Sequence, residues 1–337
     1  MINKVEIIIF ALFFSTFSFN QKSSSVFIKY SSLVQKGESL VLEDNFKKAL
    51  HYYNVAFQTC TPLASDCFTA MQLAAVNNNS KLFKKFMIKG FQVGLKKVDL
   101  IKDSLLYSYF NKKKLNDFAE VKYRKNQFKY EKGLNPFLVD TLNKLSSIDN
   151  RYKTMYLDSL ARVDTLNRNI YEKIYDSIVS NLVENSLMPL IEKYGFPGQR
   201  LTGVAKVGQI NDPYNYSFSN NKALFILLHY YSNPKTCEYN SLFKNEVFKG
   251  NMRPEVFASI MDFQFKYGKD AYCKAKPYNQ WHKSEDSAEF EIINERRRQI
   301  GLASFQDEEE KYKRGLNICY KYDNRVYKHI RLFYWCG

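Results

Sequence analysis

The sequence predicts a mainly α-helical protein, in which short helical hairpins are followed by a second helical domain. Apolar residues recur at spacings of three and four through most of the chain, as on the buried face of a helix. Glycines, with a Pro-Gly turn at residues 197–198, end several of these segments. The chain has 337 residues and is 45% hydrophobic, enough for roughly two domains with cores of their own.

The first twenty residues have the composition of a secretory signal peptide. Lys4 precedes an apolar run over residues 7–14, and mostly small and polar residues follow up to Gln21. The run is shorter than the ~18 to 20 residues that a membrane-spanning helix needs. We therefore predict a cleaved signal over residues 1–20, an exported protein in the periplasm or outside the cell, and no transmembrane span after cleavage.

Six cysteines follow this segment, an even number in a chain that is predicted to mature in an oxidising compartment. They allow about fifteen pairings, and some of them can instead be buried thiols. Proximity in sequence favours Cys60 with Cys67, Cys237 with Cys273, and Cys319 with Cys336. No Cys/His cluster has the spacing of a zinc site, and the sequence indicates no metal and no cofactor.

Residues 22–135 are predicted to form helical hairpins. The packing positions of a helical repeat are occupied by small or apolar residues, namely Leu33, Gly37, Leu40, Ala49, Tyr53 and Ala56. Pro62 lies one position after the place of the terminal proline. This segment resembles one tetratricopeptide repeat. Gly37 would let the first helix approach the second, where Ala49 and Ala56 are small. A degenerate second pair follows over residues 65–90, with Gly90 as its terminator, and together they predict a short solenoid.

The most basic stretch of the chain covers residues 111–133, where aromatic residues alternate with lysine and arginine. The whole chain has a formal net charge of +16, which attracts anionic surfaces. The stretch is either a solvated helix face with snorkelling lysines or a surface that binds lipid or an anionic envelope polymer. Export argues against nucleic acid as the partner.

Residues 136–316 are predicted to form the second helical domain, and residues 317–337 a tail. Helical periodicity covers 138–190, ended by Gly195 and the turn Phe196-Pro197-Gly198. Two further helices are predicted over residues 221–231 and 252–267, the second with Pro254 in its first turn. Another should begin at a capping box formed by Asp286 and Glu289 and end at Ile300, and a last one should run from Ser304 to near Gly315. The tail is a small β-hairpin about Asp323-Asn324 or a final helix, and we favour the hairpin.

Residues 142–315 are similar to an uncharacterised domain-of-unknown-function family of exported bacterial proteins. The resemblance is carried by Asp149-Asn-Arg151, residues 164–167, IEKYGFPGQRLTG (191–203), His229, GNMRPEVFASIMDF (250–263) and INERRRQIGL (293–302). The chain departs from the family at His229, which lies between Leu228 and Tyr230 instead of in a Gln-His-Ala-Asp context, and at Asp262, which precedes Phe263 instead of arginine. The resemblance implies a domain and no mechanism.

His229 is the first candidate for chemistry, as a general base oriented by Asp262 or working with His282. The alternatives are a histidine satisfied within the core and an exposed Asp262 paired with Lys266. Residues 296–298, three arginines, either clamp an acidic ligand or complement the dipole of their helix. The sequence has no G-x-S-x-G, H-E-x-x-H or glycine-rich phosphate motif.

Three functions follow from these observations. The first, which we favour, is a non-enzymatic exported interaction protein of the cell envelope that binds a protein partner through the concave face of the solenoid. The second is an envelope hydrolase or transferase that uses His229 with a carboxylate. The third is an anionic-surface binding protein that uses residues 111–133.

Overall fold

A computed structural model describes residues 26–204, 221–268, 275–280, 289–321 and 330. All regular secondary structure within these residues is helical, so the mainly α prediction is confirmed for them. The predicted signal peptide and the centre of the predicted hairpin, Asp323-Asn324, lie outside the described residues. No helix in the described part of the chain is long and apolar enough to cross a membrane.

The first seven helices surround one apolar cluster, here called the first core, which includes buried residues from Phe27 to Ala119. The helices are α1 (residues 26–42), α2 (Phe46–Thr59), α3 (Ala64–Val76), α4 (Ser80–Gln92), α5 (Lys97–Lys102), α6 (Ser104–Lys112) and α7 (Asn116–Lys132). Helix α3 is buried along almost its whole length, because α2 packs on one side of it and α4 on another.

Gly37 is a point of close approach between α1 and α2, as the sequence predicts. A Cβ atom at this position would lie 2.9 Å from the ring of Tyr53, which is itself fully buried. Ala49 and Ala56 on α2 are also fully buried. The predicted hairpin over these residues is therefore confirmed, and its assignment as a tetratricopeptide repeat stays a prediction.

The end of α4 differs from the sequence prediction. Gly90 was expected to terminate the helix, but α4 continues to Gln92 and Gly90 packs inside it, where a Cβ would meet Leu95 at 2.6 Å. Gly94 is the residue with the left-handed conformation, at φ +102°. Gly90 is required by packing, and Gly94 by the turn.

The remaining helices surround a second apolar cluster, the second core, which includes buried residues from Leu142 to Leu302. They are α8 (Pro136–Lys153), α9 (Ala161–Val163), α10 (Arg168–Leu182), α11 (Met188–Tyr194), α12 (Gln199–Thr202), α13 (Lys222–Tyr230), α14 (Asn240–Lys249), α15 (Pro254–Tyr267), α16 (Phe290–Gln299) and α17 (Phe305–Lys321). Two π-helical segments, Thr154–Leu160 and Val183–Leu187, interrupt this series. Helix α13 is central, since it contacts α8, α10 and α15.

The two predicted helices near the carboxyl end are present with changed bounds. The backbone N–H of Asp307 donates to Ser304 Oγ at 3.0 Å, which confirms Ser304 as the cap of α17. That helix does not end near Gly315 but continues to Lys321, so residues 317–321, predicted to belong to the tail with its favoured hairpin, are helical instead. Helix α16 is described from Phe290 onward, and Asp286, predicted to begin it, lies outside the described residues.

Two segments connect the cores. Gln199 on α12 accepts from the backbone N–H of Ala64 at 3.4 Å and donates to the carbonyl of Val93 at 3.3 Å. At the other side, Lys311 on α17 donates to Gln35 and Glu38 on α1. Helix α1 therefore belongs to the first core and also holds the last described helix.

The cysteines correct one predicted pairing. Cys60 and Cys67 are free thiols. Cys67 is buried in the first core one turn into α3, and Cys60 accepts a hydrogen bond from Arg200 at 3.3 Å. Cys237 is disulfide-bonded, and its partner lies outside the described residues, so the pairing with Cys273 stays a prediction. The side chains of Cys319 and Cys336 also lie outside them.

Candidate functional site

His229 lies in the last turn of α13, next to a buried carboxylate. Its Nδ1 is 2.8 Å from Oδ2 of Asp149, which α8 contributes from 80 residues earlier in the chain. Asp149 is buried, and the side chain of His229 is 21% exposed. The buried carboxylate of Asp149 therefore contacts an imidazole that is partly exposed to solvent.

Tyr175 on α10 completes this arrangement. Its hydroxyl donates to Oδ1 of Asp149 at 2.7 Å, and its ring packs edge-on to His229 with centroids 6.1 Å apart. Burial, followed by the hydrogen bond to Asp149, raises the pKa of Tyr175 far above its ordinary value, so the phenol stays protonated and keeps donating. Both carboxylate oxygens of Asp149 are therefore occupied, which fixes the side chain.

A π-helical segment lies beside the pair. It follows α8 directly and includes Asp158, which forms ion pairs with Lys153 at 2.9 Å and Arg162 at 3.6 Å. The hydrogen bond from Lys153 holds the pKa of Asp158 below its usual value. π-Helical turns occur frequently at functional sites. Here the turn places a second, ionised carboxylate within electrostatic range of His229.

Asp262, the predicted partner of His229, serves another part of the molecule. It is fully buried, and its Oδ1 accepts from the backbone N–H of Tyr278 at 2.6 Å while its Oδ2 accepts from that of Gln280. The expectation of an exposed carboxylate beside Lys266 is therefore wrong. The structure brings Asp149, and not Asp262, to Nδ1 of His229, and His282 lies outside the described residues.

Two of the three arginines in α16 form hydrogen bonds to backbone carbonyls, as Asp262 does to backbone N–H groups. Arg297 is fully buried and donates to the carbonyls of Ala303 and Tyr278, each at 2.7 Å, and Arg296 donates to the carbonyl of Pro277. Arg298 pairs on the surface with Glu291 and Glu295. These contacts correct the suggestion of an acidic-ligand clamp, since the two inner arginines instead hold residues 275–280.

A cavity of about 700 Å³ lies against the same segment. His229 is not among its lining residues, which are Asn240, Met261, Ala275, Lys276, Tyr278, Glu291, Ile292, Glu295, Arg296 and Gln299. In the part of the chain that the structure describes, no three His, Cys, Asp or Glu side chains are grouped to hold a metal ion.

The sequence contains a signal for Asp149 that residue-type reasoning missed. The buried residues of α8 are Leu138, Leu142, Leu145 and Asp149, at spacings of four, three and four. A carboxylate in line with an apolar stripe must enter the core, where it needs partners. The partners themselves, on α10 and α13, could not be identified from local spacing.

Comparison with known proteins adds no assignment. No family model, no curated protein and no solved structure matches the chain. The resemblance of residues 142–315 to a family of unknown function thus stays a prediction, although two of the segments that carry it, at Asp149 and His229, contact each other.

Proposed function

We propose that the second helical domain catalyses a hydrolytic or group-transfer reaction in which His229 acts as the general base. The observation that carries this proposal is the 2.8 Å contact between His229 Nδ1 and the buried Asp149. A carboxylate at Nδ1 holds the proton on that nitrogen and leaves Nε2 to accept one from water or from a substrate hydroxyl.

The roles of the three residues follow from their contacts. Asp149 orients the ring and stabilises the imidazolium that forms when Nε2 takes a proton, as an aspartate does in a hydrolase triad. Tyr175 keeps Asp149 in place by donating to its other oxygen. The partial exposure of His229 gives a substrate access from solvent.

The proposal is tested by hydrolysis of p-nitrophenyl acetate, an activated ester that water attacks when a general base takes its proton, without a dedicated pocket. We expect His229→Gln to lower the rate by about 100-fold or more, the usual contribution of a positioned general base, and Asp149→Asn to lower it through loss of the orienting charge. His51→Gln is the matched control, because His51 is exposed on α2. Equal rates for the two histidine variants would contradict the proposal.

We also propose that the protein is exported and binds a partner in the cell envelope. The observation that favours a binding role is the pair Val121 and Phe128 on α7, which are 64% and 60% exposed among lysines. A pull-down from envelope extract with the full chain tests this role. A specific partner should be lost in the double variant Val121→Ser/Phe128→Ser, and sequencing of the mature N-terminus should show cleavage near residue 20.

A further inference from the structure

The end of α9 and the loop that joins it to α10 present apolar side chains to solvent. Val163 is 87% exposed and Leu166 is 95% exposed, more than any other large hydrophobic side chain in the described residues. Each residue from 162 to 170 except Asp164 is exposed, so the segment protrudes and forms no groove. Residues 162–168 are called the apolar loop below. Exposed apolar groups gathered in this way mark a contact site with a partner or a membrane.

The apolar loop is held in one conformation by its own aspartate. Asp164 accepts from the backbone N–H of Asn167 at 3.2 Å, from the side-chain amide of Asn167 at 2.8 Å and from the hydroxyl of Tyr171 at 3.0 Å. These hydrogen bonds lower the pKa of Asp164, so the carboxylate stays ionised and the contacts persist. Val163 and Leu166 are therefore directed outward by an ordered turn, although nothing in the described part of the chain covers them.

Arginines flank the two apolar side chains. Arg162 pairs with Asp158 at 3.6 Å and Arg168 with Glu172 at 2.7 Å, and both arginines are exposed. A guanidinium has five N–H donors, so one carboxylate leaves donors for a phosphate group. The chain as a whole carries a net charge of +16, which favours an anionic surface over a neutral one.

We infer that the apolar loop docks the protein on an anionic lipid membrane, with Val163 and Leu166 inserted among the acyl chains and Arg162 and Arg168 at the phosphates. A protruding pair of apolar side chains between two cations can insert into a bilayer interface. Binding of a peptide would instead require a groove on this surface. Arg162 pairs with Asp158 on the π-helical segment that directly follows α8, the helix that contributes Asp149, so docking would bring the membrane close to the proposed site.

Sedimentation with vesicles tests this docking on the full chain. Wild-type protein should bind vesicles of phosphatidylglycerol and phosphatidylethanolamine and bind phosphatidylcholine vesicles weakly. Val163→Ser/Leu166→Ser should lower the partition coefficient on the anionic vesicles by about 10- to 100-fold, through the loss of two inserted side chains. Arg162→Gln/Arg168→Gln should lower it and flatten its dependence on salt.

The matched control is Val98→Ser/Ile101→Ser, which removes two exposed apolar side chains from α5. It should bind as wild type does, and all these proteins share the same N-terminal segment, so its contribution cancels. The inference is overturned if the wild-type chain does not bind anionic vesicles. It is also overturned if the control variant loses as much of the partition coefficient as Val163→Ser/Leu166→Ser does. Ultracentrifugation that finds a dimer dissociated by Val163→Ser/Leu166→Ser would overturn it too, since the loop would then contact a second copy.

Discussion

The two cores differ in the kind of backbone that they hold. The first core packs helix against helix through short connections, with small residues such as Ala49 and Gly37 at the points of closest approach. The second core also holds irregular backbone, at residues 195–198, 275–280 and 301–304. Irregular backbone near a core leaves N–H and C=O groups without helical partners, and these groups need hydrogen bonds from elsewhere.

Buried charged side chains supply those hydrogen bonds in the second core. Glu246 accepts from the backbone N–H of Phe196 at 2.8 Å, across 50 residues, and Asp262 and Arg297 hold residues 275–280 from two different helices.

The first core also buries carboxylates, but Asp66 accepts from the hydroxyl of Tyr30, and Asp103 accepts from the side-chain amide of Gln72 and the backbone N–H of Leu106 in the first turn of α6. Buried charge therefore holds distant irregular backbone in the second core, and side chains and a helix end in the first.

The largest effect is expected for Asp262→Leu in the second core. It leaves the N–H groups of Tyr278 and Gln280 unpaired and removes a charge near Arg297, so the free energy of unfolding should fall by about 3–5 kcal/mol. Met71→Leu in the first core, at an equally buried site, should cost less than about 1.5 kcal/mol. Urea unfolding followed by circular dichroism measures both. A cost for Asp262→Leu no larger than that of Met71→Leu would contradict the structural role of this carboxylate.

The contact between the cores should depend on pH through Glu38. Burial raises the pKa of this carboxyl from 4.5 to about 7, although Lys311 opposes the shift. The folded protein therefore holds this proton more tightly than the unfolded chain, and the free energy of unfolding should fall by up to about 3 kcal/mol as pH rises from about 4.5 to 7. Glu38→Gln cannot titrate and should lack this component. Parallel stability curves for wild type and Glu38→Gln, from urea unfolding across that pH range, would contradict the prediction.

Close approach in the first core is tested by Gly37→Ala. The new methyl group would lie 2.9 Å from the ring of Tyr53, and the overpacking should exceed the gain in helix propensity, for a net loss of about 1–2 kcal/mol. Gly133→Ala is the control, because Gly133 is exposed at the end of α7 with an ordinary φ of −81°. It should change the midpoint of thermal unfolding little. If Gly37→Ala were more stable than wild type, α1 and α2 could move apart to accept the methyl group without loss of free energy of unfolding.

The same difference explains what the sequence could predict. Helical hairpins with Gly37 at their contact follow from spacing, because each helix carries its own apolar stripe. The pairing of Asp149 with His229 depends on how α8 and α13 pack, across 80 residues, and no local pattern encodes it. Charge alone predicts a surface position for Asp262 and ligand binding for Arg297, whereas both side chains are buried and form hydrogen bonds to irregular backbone.

The smallest effects concern the thiols of the first core, where the sequence suggested a bridge. Cys60→Ser keeps an acceptor for Arg200 at a partly exposed site and should change the free energy of unfolding by less than about 0.5 kcal/mol. Cys67→Ser places a hydroxyl in an apolar interior and should cost about 1–2 kcal/mol. If a disulfide joined the two residues, either single variant would break it and both would cost about the same, roughly 2–4 kcal/mol. Unequal costs, measured by urea unfolding without reductant, therefore distinguish two free thiols from a bridge, and equal large costs would show that the first core is cross-linked after all.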